Sequence, residues 1–430
     1  MFFSPLLGLA FLVGAASAGG IKLSFDRIYA PRSDVDDGRV LMQENGEGSL
    51  IPFTKEVALH NFVMLAEQAT LTSVGQGVYY VGPVTVGTQT FKAIYDTGSN
   101  LLWIPGKACG VACAPHTLYT GAVTSSSFTV SYMSGSVSGS YANAVIDLAG
   151  ANLDSFKLGV ASTVSLGGYS SMLFDGVFGL AWPSLSDTDS VVPALFRSGQ
   201  ISSNLFAIYL SPDKGNGELS LGSIDSTKFT GDIAYMTLTK QSWWTVKLNG
   251  LLVGSFAQIV EKAAYSVIID SGSTLIMGPS TEIIDMVAAI QESGVDVKTD
   301  SWNNYFVLCS ASASVPSINI TMSGSDNQQY YFMLPGQALV MAGSSGYCQL
   351  ALQGMSSSSG FSDWVLGDPF MRSFYSVFDY GSSRVGLAIP VGAAAGTQIV
   401  TGDIVVSFAS PAMSFNWVIA AALIILASSI

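Results

Sequence analysis

Two short stretches of the chain share one pattern, and together they limit the possible folds more than any other feature. The first reads FKAIYDTGSN over residues 91–100, and the second reads YSVIIDSGST over residues 265–274. In each, an apolar run typical of a buried strand leads to a lone Asp, and a small hydroxyl residue, a Gly and a Ser follow it. Because Gly has no Cβ, such a loop can approach a second backbone closely. The two loops can therefore place the carboxylates of Asp96 and Asp270 side by side.

The parts that follow each loop also recur in the same order. Residues 175–180 read DGVFGL and residues 364–368 read WVLGD, so each contains an apolar pair before a Gly. These glycines stand 83 positions after Asp96 (179 − 96) and 97 positions after Asp270 (367 − 270). Such an internal repeat, near 180 residues, predicts two homologous lobes.

Length and composition agree with a mainly β protein of two or three domains. Of the 430 residues 49% are hydrophobic and 11% are charged, which leaves ample apolar material for a large core. The 45 glycines and the short alternating runs with Ser and Thr favour strands. The net charge of −13 argues against nucleic acid as a partner. It suits work in acid, since carboxylates lose their mutual repulsion as the pH falls.

The chain has two histidines, His60 and His116. Neither has a Cys or His partner at the spacing of a metal site, so we predict neither a metal nor another cofactor. A Ser-His-Asp triad would have to use one of them, and we interpret both as surface residues. The scarcity of His therefore argues against Ser-His, Cys-His and zinc hydrolases together.

The two Asp-Thr/Ser-Gly loops with their apolar lead-ins resemble those of the pepsin family (A1) of aspartic proteases, of the pepsin and cathepsin D kind. The resemblance implies an all-β fold of two lobes related by a pseudo-two-fold axis. It also implies an aspartic endopeptidase in which Asp96 and Asp270 activate a water that hydrolyses peptide bonds, with an acid optimum. The alternative is a catalytically inactive binding or inhibitory protein on the same fold. Such relatives usually lose an Asp or its Gly, whereas both loops are intact here.

The resemblance assigns supporting roles to the residues beside the two carboxylates. Thr97 and Ser271 would brace the two loops against each other through hydroxyl-to-backbone hydrogen bonds. Ser99 and Ser273 would hold the carboxylates. The remaining supporting positions are Gly98, Gly272 and Trp103.

Residues 128–139 read FTVSYMSGSVSG and predict a β-hairpin, because alternating apolar residues flank a Ser-Gly turn. The hairpin resembles the flap that closes over the cleft in the family. Tyr132 takes the place of the flap tyrosine, and the Trp103 indole would donate a hydrogen bond to it. Tyr132 could also be an ordinary cross-strand aromatic residue. Met133 stands where pepsins usually have Gly, which changes the contacts at the flap tip.

The four cysteines and one sequon fit a secreted protein. By the same resemblance Cys109 would pair with Cys113, and Cys309 with Cys348. Secretion makes such disulfides plausible, and free thiols are the alternative for the first pair. Asn319 begins an Asn-Ile-Thr sequon for glycosylation.

The ends of the chain differ in composition from the two lobes. The first residues are apolar and end in Ala-Ser-Ala, as in a secretory signal peptide. A charge-mixed stretch follows, which we interpret as a prosegment rather than a disordered spacer. Its candidates for pairing with the catalytic carboxylates are Lys22, Arg27, Arg32, Arg39 and Lys55. We predict a signal peptide (1–18), a prosegment (19–55), an N-terminal lobe (56–230), a C-terminal lobe (231–391) and a tail with a hydrophobic anchor signal (392–430).

The tail contains the run WVIAAALIILA at residues 417–427. Eleven apolar residues are fewer than the roughly 20 that a spanning helix needs, and no Lys or Arg follows them. A short apolar end after small residues fits a glycolipid-anchor signal. A short or tilted span and a soluble form are the alternatives. We therefore expect a monomeric protease of protein or peptide substrates, tethered to a membrane at the cell exterior or in an acidic lumen.

Overall fold

The computed structural model describes residues 21–29, 78–213, 217–254, 257–260, 265–341, 343, 346–355 and 363–402. Within the first range it describes the backbone and the side chain of Lys22. The predicted signal peptide, most of the predicted prosegment, His60 and the apolar run of the tail lie outside the described residues. Within the part that is described, no helix combines the length and the apolar character needed to cross a bilayer.

Strands make up most of the described chain. In the first half they are β1 Ile21–Tyr29, β2 Val78–Val86, β3 Gln89–Asp96, β4 Leu102–Pro105, β5 Ser127–Tyr132, β6 Gly135–Leu148, β7 Ala151–Leu166, β8 Gly176–Gly179, β9 Leu205–Leu210, β10 Gly217–Leu221 and β11 Phe229–Thr237. In the second half they are β12 Lys240–Gln241, β13 Trp244–Val253, β14 Ala257–Val260, β15 Tyr265–Ile269, β16 Ile276–Pro279, β17 Val297–Thr299, β18 Tyr305–Leu308, β19 Ile318–Ser323, β20 Gln329–Leu334, β21 Tyr347–Leu350, β22 Leu352–Met355, β23 Trp364–Leu366, β24 Tyr375–Asp379, β25 Arg384–Pro390 and β26 Gln398–Thr401.

Helices are short and few among the described residues. The α-helices are α1 Val191–Arg197, α2 Ser280–Glu292 and α3 Asp368–Ser373. The 3-10 helices are Lys107–Cys113, Tyr169–Ser171, Pro183–Leu185, Cys309–Ser314 and Gly336–Leu339. The predicted all-β fold is confirmed.

The strands form three sheets, and the largest draws on both halves of the chain. Its order is β11-β25-β24-β9-β10-β1-β2-β3-β8-β4-β7-β6-β5. The second sheet runs from β22 through β16, β23, β15, β13, β19 and β20 to β26, and the third is β17-β18-β21. Because β24 pairs with β9, and β25 with β24, the first and second halves of the chain are joined by continuous backbone hydrogen bonding.

The same strand arrangement surrounds each Asp loop, as the sequence repeat predicts. In the first half β3 pairs in parallel with β8, and β4 pairs antiparallel with β8. In the second half β15 pairs in parallel with β23, and β16 pairs antiparallel with β23. A glycine is required at the end of β8 and directly after β23, because a neighbouring backbone fills the space of a Cβ there. A Cβ at Gly179 would lie 2.2 Å from the Asn100 backbone, and one at Gly367 would lie 2.1 Å from the Ser273 carbonyl oxygen.

Buried aromatic side chains pack where the two halves meet. The rings of Phe206 on β9 and Phe378 on β24 stack at 4.7 Å between centroids. Trp244 on β13 packs against Phe378 and Tyr380 with centroid distances of 5.1 and 4.7 Å. Aromatic pairs bury large apolar areas and add a specific packing energy, so this cluster fixes the relative position of the two halves.

β1 lies inside the largest sheet, between β10 and β2. Its Lys22 forms an ion pair with Asp225 and lies 4.0 Å from Glu218. The expectation that Lys22 could pair with the catalytic carboxylates is therefore wrong, since its Nζ is paired with Asp225 instead. The side chain of Arg27 and the residues Arg32, Arg39 and Lys55 lie outside what the structure describes.

One predicted lobe boundary falls inside a strand, and the other falls in the turn that follows β25. The boundary between residues 230 and 231 lies within β11, at a register shift where Gly231 has φ of +75°. The chain also continues past residue 391, the predicted end of the second lobe. It turns at Gly392 and Gly396, which have φ of +81° and +91°, and adds β26 to the edge of β20. The β-branched Ile-Val-Thr of β26 suits this pairing.

Candidate active site

The apolar lead-ins of the two loops are buried strands, and each delivers its carboxylate to the same place. Asp96 is the last residue of β3, and Asp270 follows the last residue of β15. The two Asp residues are 7% and 9% exposed. Strand β3 places Asp96 directly beside Gly179 of β8, so the loop begins where the parallel pairing ends.

Hydrogen bonds between the two loops join them symmetrically. The Thr97 hydroxyl donates to the Ile269 carbonyl at 2.8 Å and accepts from the Ser271 N–H at 2.9 Å. The Ser271 hydroxyl donates to the Tyr95 carbonyl at 2.7 Å and accepts from the Thr97 N–H at 3.1 Å. Each hydroxyl therefore bonds to the backbone of the other loop, as the resemblance predicted for Thr97 and Ser271.

Each carboxylate is also held by its own loop. The Gly98 N–H donates to Asp96 Oδ1 at 2.8 Å, and the Ser99 hydroxyl donates to Asp96 Oδ2 at 2.5 Å. In the second loop Gly272 N–H donates to Asp270 Oδ1 at 2.9 Å, and the Ser273 hydroxyl donates to Asp270 Oδ2 at 2.5 Å. These donors fix the orientation of both carboxylates.

The glycine of each loop lies against the carboxylate of the other. A Cβ built on Gly98 would lie 2.6 Å from Asp270 Oδ1, and one on Gly272 would lie 2.3 Å from Asp96 Oδ1. Real Cβ atoms do not come so close, so any other residue at either position would displace the carboxylate of the opposite loop. Because each glycine lies against the opposite carboxylate, the two carboxylates lie close together between the loops.

Burial and a like charge make one of the carboxyl groups hard to ionise. Burial raises the pKa of Asp96 above its usual range, and the neighbouring Asp270 carboxylate raises it further. The hydrogen bonds from Ser99 and Gly98 act in the opposite direction, because they favour the ionised form. The pair can therefore carry a single proton, which leaves one acid and one base side by side.

A comparison with protein-family models identifies the fold that surrounds these loops. Residues 79–389 match the model described as Eukaryotic aspartyl protease, which is more than half of the chain. The chain belongs to the eukaryotic aspartyl protease family. Both Asp loops of this protease, and all four of its cysteines, lie within the matched residues.

Curated relatives of the protease agree with this assignment. A gastricsin from Cavia porcellus is 31% identical over 324 residues, which cover 72% of this chain and 79% of the relative. A cathepsin D from Dictyostelium discoideum is 32% identical, with 73% and 83% covered. An aspartic protease from Phaffia rhodozyma is 33% identical, with 74% and 78% covered. The protease is an aspartic endopeptidase of protein or peptide substrates.

The predicted flap of the protease is the hairpin of β5 and β6. Tyr132 pairs with Gly135 across a two-residue turn, and Trp103 Nε1 donates to the Tyr132 hydroxyl at 2.8 Å. Burial and the neighbouring Asp96 carboxylate raise the pKa of Tyr132, so its hydroxyl stays neutral. Met133 is half exposed at the tip, whereas Ser134 is buried. The turn is thus Met133-Ser134, one residue earlier than the predicted Ser-Gly turn.

The protease contains the two disulfides that the resemblance implies, Cys109–Cys113 and Cys309–Cys348.

The sequon residue Asn319 lies in β19, paired with Leu252 on one side and Met333 on the other. Its Nδ2 donates to the Gly254 carbonyl at 3.3 Å. The amide that would carry a glycan is therefore engaged with the backbone in the folded lobe.

The interpretation of His116 as a surface residue is wrong, because its side chain is 4% exposed. Its ring stacks on Tyr169 at 4.2 Å between centroids, and its Nδ1 lies 3.6 Å from Asp175 Oδ1. Burial alone would raise the pKa of Asp175, but hydrogen bonds from His116 and two backbone N–H groups lower it. Tyr169 in turn packs on Trp103 at 6.1 Å, so this buried group supports the flap contact.

Sequence reasoning also missed Trp243, whose Nε1 donates to the Gly98 carbonyl at 3.0 Å. The signal in the sequence was weak. Trp243 and Trp244 follow a short polar stretch that favours a turn. A turn at Trp243 would place an aromatic ring where a surface loop normally has a polar residue.

Proposed function

We propose that Asp96 and Asp270 are the catalytic pair of an acid endopeptidase. The observation that carries this proposal is the position of each loop glycine against the carboxylate of the other loop. Two buried carboxylates that lie side by side cannot both be ionised, so they share one proton. Aspartic proteases are the standard example of such a pair. The remaining site residues are proposed as the supports of this pair.

The reaction needs both protonation states of the pair. The ionised carboxylate takes a proton from a water molecule as that water attacks the scissile carbonyl carbon. The protonated carboxyl donates its proton to the oxygen on which negative charge develops. The titration belongs to the pair, so neither residue is assigned the proton permanently. Thr97 and Ser271 keep the two loops in register, and Ser99 and Ser273 keep the carboxylates aimed.

Replacing either carboxylate tests the proposal. Asp96→Asn and Asp270→Asn should each lower kcat by at least about a hundredfold while the thermal midpoint changes little, because each removes one proton role. Asp154→Asn, a matched change of an exposed Asp on β7, should leave kcat unchanged. Cleavage of a denatured protein at acid pH provides the readout. Near-full activity of either site variant would overturn the mechanism.

Substrates of this site would be extended peptides. The flap tyrosine and the backbone beside the loops supply the hydrogen-bonding groups that a peptide strand requires. A peptide mimic with a tetrahedral hydroxyl at the scissile position should bind tightly, because that hydroxyl can sit between the two carboxylates. Mass spectrometry of products from a peptide library would give the preference around the cleaved bond.

We further propose that the chain enters the secretory pathway, is made with a prosegment that includes β1, and is tethered as a monomer at a membrane. Support comes from the sequence of residues 1–18, from the two disulfides, which persist in oxidising compartments, and from the apolar run at 417–427. Glycolipid attachment predicts release from intact cells by phosphatidylinositol-specific phospholipase C. A mature protein that retains Trp417 would instead support a short span.

The sequon at Asn319 supports a proposed glycosylation site, and in the folded lobe its Nδ2 donates to the Gly254 carbonyl. A glycan there would have to be attached before β19 pairs with its neighbours. Peptide mass spectrometry before and after glycosidase treatment tests occupancy directly.

A further inference from the structure

A tight hairpin from the second half of the chain packs against the first Asp loop. β12 and β13 pair through Gln241 and Trp244, so Ser242 and Trp243 form the turn between them. The half-buried Trp243 ring directs its Nε1 at the carbonyl oxygen of Gly98, 3.0 Å away. This hydrogen bond joins positions 145 residues apart, directly beside the two carboxylates.

Further hydrogen bonds hold the same hairpin on the segment that follows β8. They are Trp182 N–H to the Ser242 carbonyl at 3.1 Å, Ser184 hydroxyl to the Gln241 carbonyl at 2.6 Å, and Trp244 Nε1 to the Leu180 carbonyl at 2.9 Å. The hairpin is therefore fixed independently of Trp243. The Trp243 indole N–H therefore reaches the first Asp loop from a hairpin that is held in place by other contacts.

The Gly98 carbonyl belongs to the peptide group between Gly98 and Ser99. The same two residues supply the donors to Asp96, through the Gly98 N–H and the Ser99 hydroxyl. This peptide group links the two donor residues, so a bond to its carbonyl restrains the backbone on which both donors depend. Among the described residues, no indole N–H is bonded to the equivalent carbonyl of Gly272, so this support distinguishes the two loops.

We propose that Trp243 is a positioning residue of the peptidase reaction: its indole N–H anchors the Gly98–Ser99 peptide group and thereby holds Asp96 in its reactive orientation. The inference rests on the proposed function of the Asp96–Asp270 pair and adds a residue to it. A carbonyl oxygen has two lone pairs, so Gly98 can accept this bond and still accept one from a substrate N–H.

The Gly98 N–H and the Ser99 hydroxyl determine in which direction the loss of the Trp243 bond would change the pKa of Asp96. Both favour the ionised form of Asp96, so a looser Gly98–Ser99 peptide group raises the pKa of that carboxyl. The other titratable groups that face this region are Asp270 and Tyr132. On the hairpin, Lys240 lies 5.2 Å from the centre of the Trp243 ring and 3.3 Å from Asp363.

Trp243→Phe removes the N–H and keeps an aromatic ring. The expected result is a roughly fivefold fall in kcat, with KM little changed, and an upward shift of the basic limb of the pH profile. Trp182→Phe is the matched control, because Trp182 lies at the same interface and its Nε1 has no hydrogen-bond partner among the described residues. It should leave kcat and the pH profile unchanged. Trp243→His, which retains a ring N–H, should fall between wild type and Trp243→Phe.

A double variant tests the route of the effect. If Trp243 acts through Ser99, then Trp243→Phe added to Ser99→Ala should shift the pH profile less than Trp243→Phe does alone. A wild-type kcat and pH profile in folded Trp243→Phe would overturn the positioning role, as would equal effects of Trp243→Phe and Trp182→Phe. Failure of the proposed function is distinguishable, since it would appear as activity in Asp96→Asn, whatever Trp243→Phe does.

Discussion

At the scale of single residues, we expect the hydroxyl of Ser99 to lower the pH at which the proposed catalytic pair loses its last proton. Burial raises the pKa of Asp96, and the Ser99 hydrogen bond lowers it again. Ser99→Ala should therefore raise this pKa and move the basic limb of kcat/KM upward by up to about one pH unit, the value of one hydrogen bond. Ser127→Ala, on the exposed side of β5, is the control. A downward shift, or none, in a kcat/KM profile from pH 2 to 8 would contradict the stated balance.

Some residues of the candidate site can be predicted from the sequence, and others cannot. Each Asp loop is a contiguous pattern of residues, and two such loops in one chain indicate a pair of carboxylates, so the sequence predicts Asp96 and Asp270 well. Trp243 and His116 differ, because their partners Gly98 and Asp175 are distant along the chain. A turn tryptophan and a loop histidine resemble surface residues until the fold supplies a buried carbonyl or carboxylate. Contacts that depend on tertiary approach leave no local pattern.

At the scale of elements, we expect the proposed flap to depend on one buried hydrogen bond. Tyr132→Phe keeps the ring but removes the acceptor of the fully buried Trp103 N–H. An unpaired buried donor is costly, so the closed flap should be less populated and kcat/KM should fall by about tenfold. Tyr331→Phe, remote on β20, provides the matched hydroxyl removal. Stopped-flow fluorescence of inhibitor binding reports flap closure, and wild-type binding kinetics in Tyr132→Phe would argue against this role.

The two disulfides should differ in what they contribute to stability. Cys309–Cys348 joins residues 39 positions apart, whereas Cys109–Cys113 joins residues 4 apart. In the chain-entropy description, a cross-link that closes a longer loop removes more freedom from the unfolded chain, about 4 against about 2 kcal/mol here. Replacing each pair with Ser and measuring urea unfolding tests this order. Equal losses would mean that strain or residual structure outweighs loop length.

At the scale of the whole molecule, the ion pair of β1 makes the stability of the uncleaved chain depend on pH. Burial alone would raise the pKa of Asp225, but hydrogen bonds from Lys22 and Thr227 lower it well below its usual range. A lowered carboxyl pKa contributes stability above the unfolded-state pKa of about 4, and that contribution is lost as the pH falls. Lys22→Met should therefore lower the urea midpoint at pH 7 and have a smaller effect at pH 3. Lys107→Met, an exposed site, controls for loss of one positive charge. A larger loss at pH 3 than at pH 7 would refute the assignment.

The shared sheet also has a consequence for how the chain is made. Strand β9 is complete at Leu210, yet one of its two neighbours is β24, which ends at Asp379. At about 5–20 residues per second, a ribosome needs roughly 10–30 s to supply that neighbour. During this interval one edge of β9 carries unpaired backbone groups, which is a template for pairing with another chain. Nascent chains should therefore be most prone to aggregate, and most dependent on chaperones, between the synthesis of these two strands.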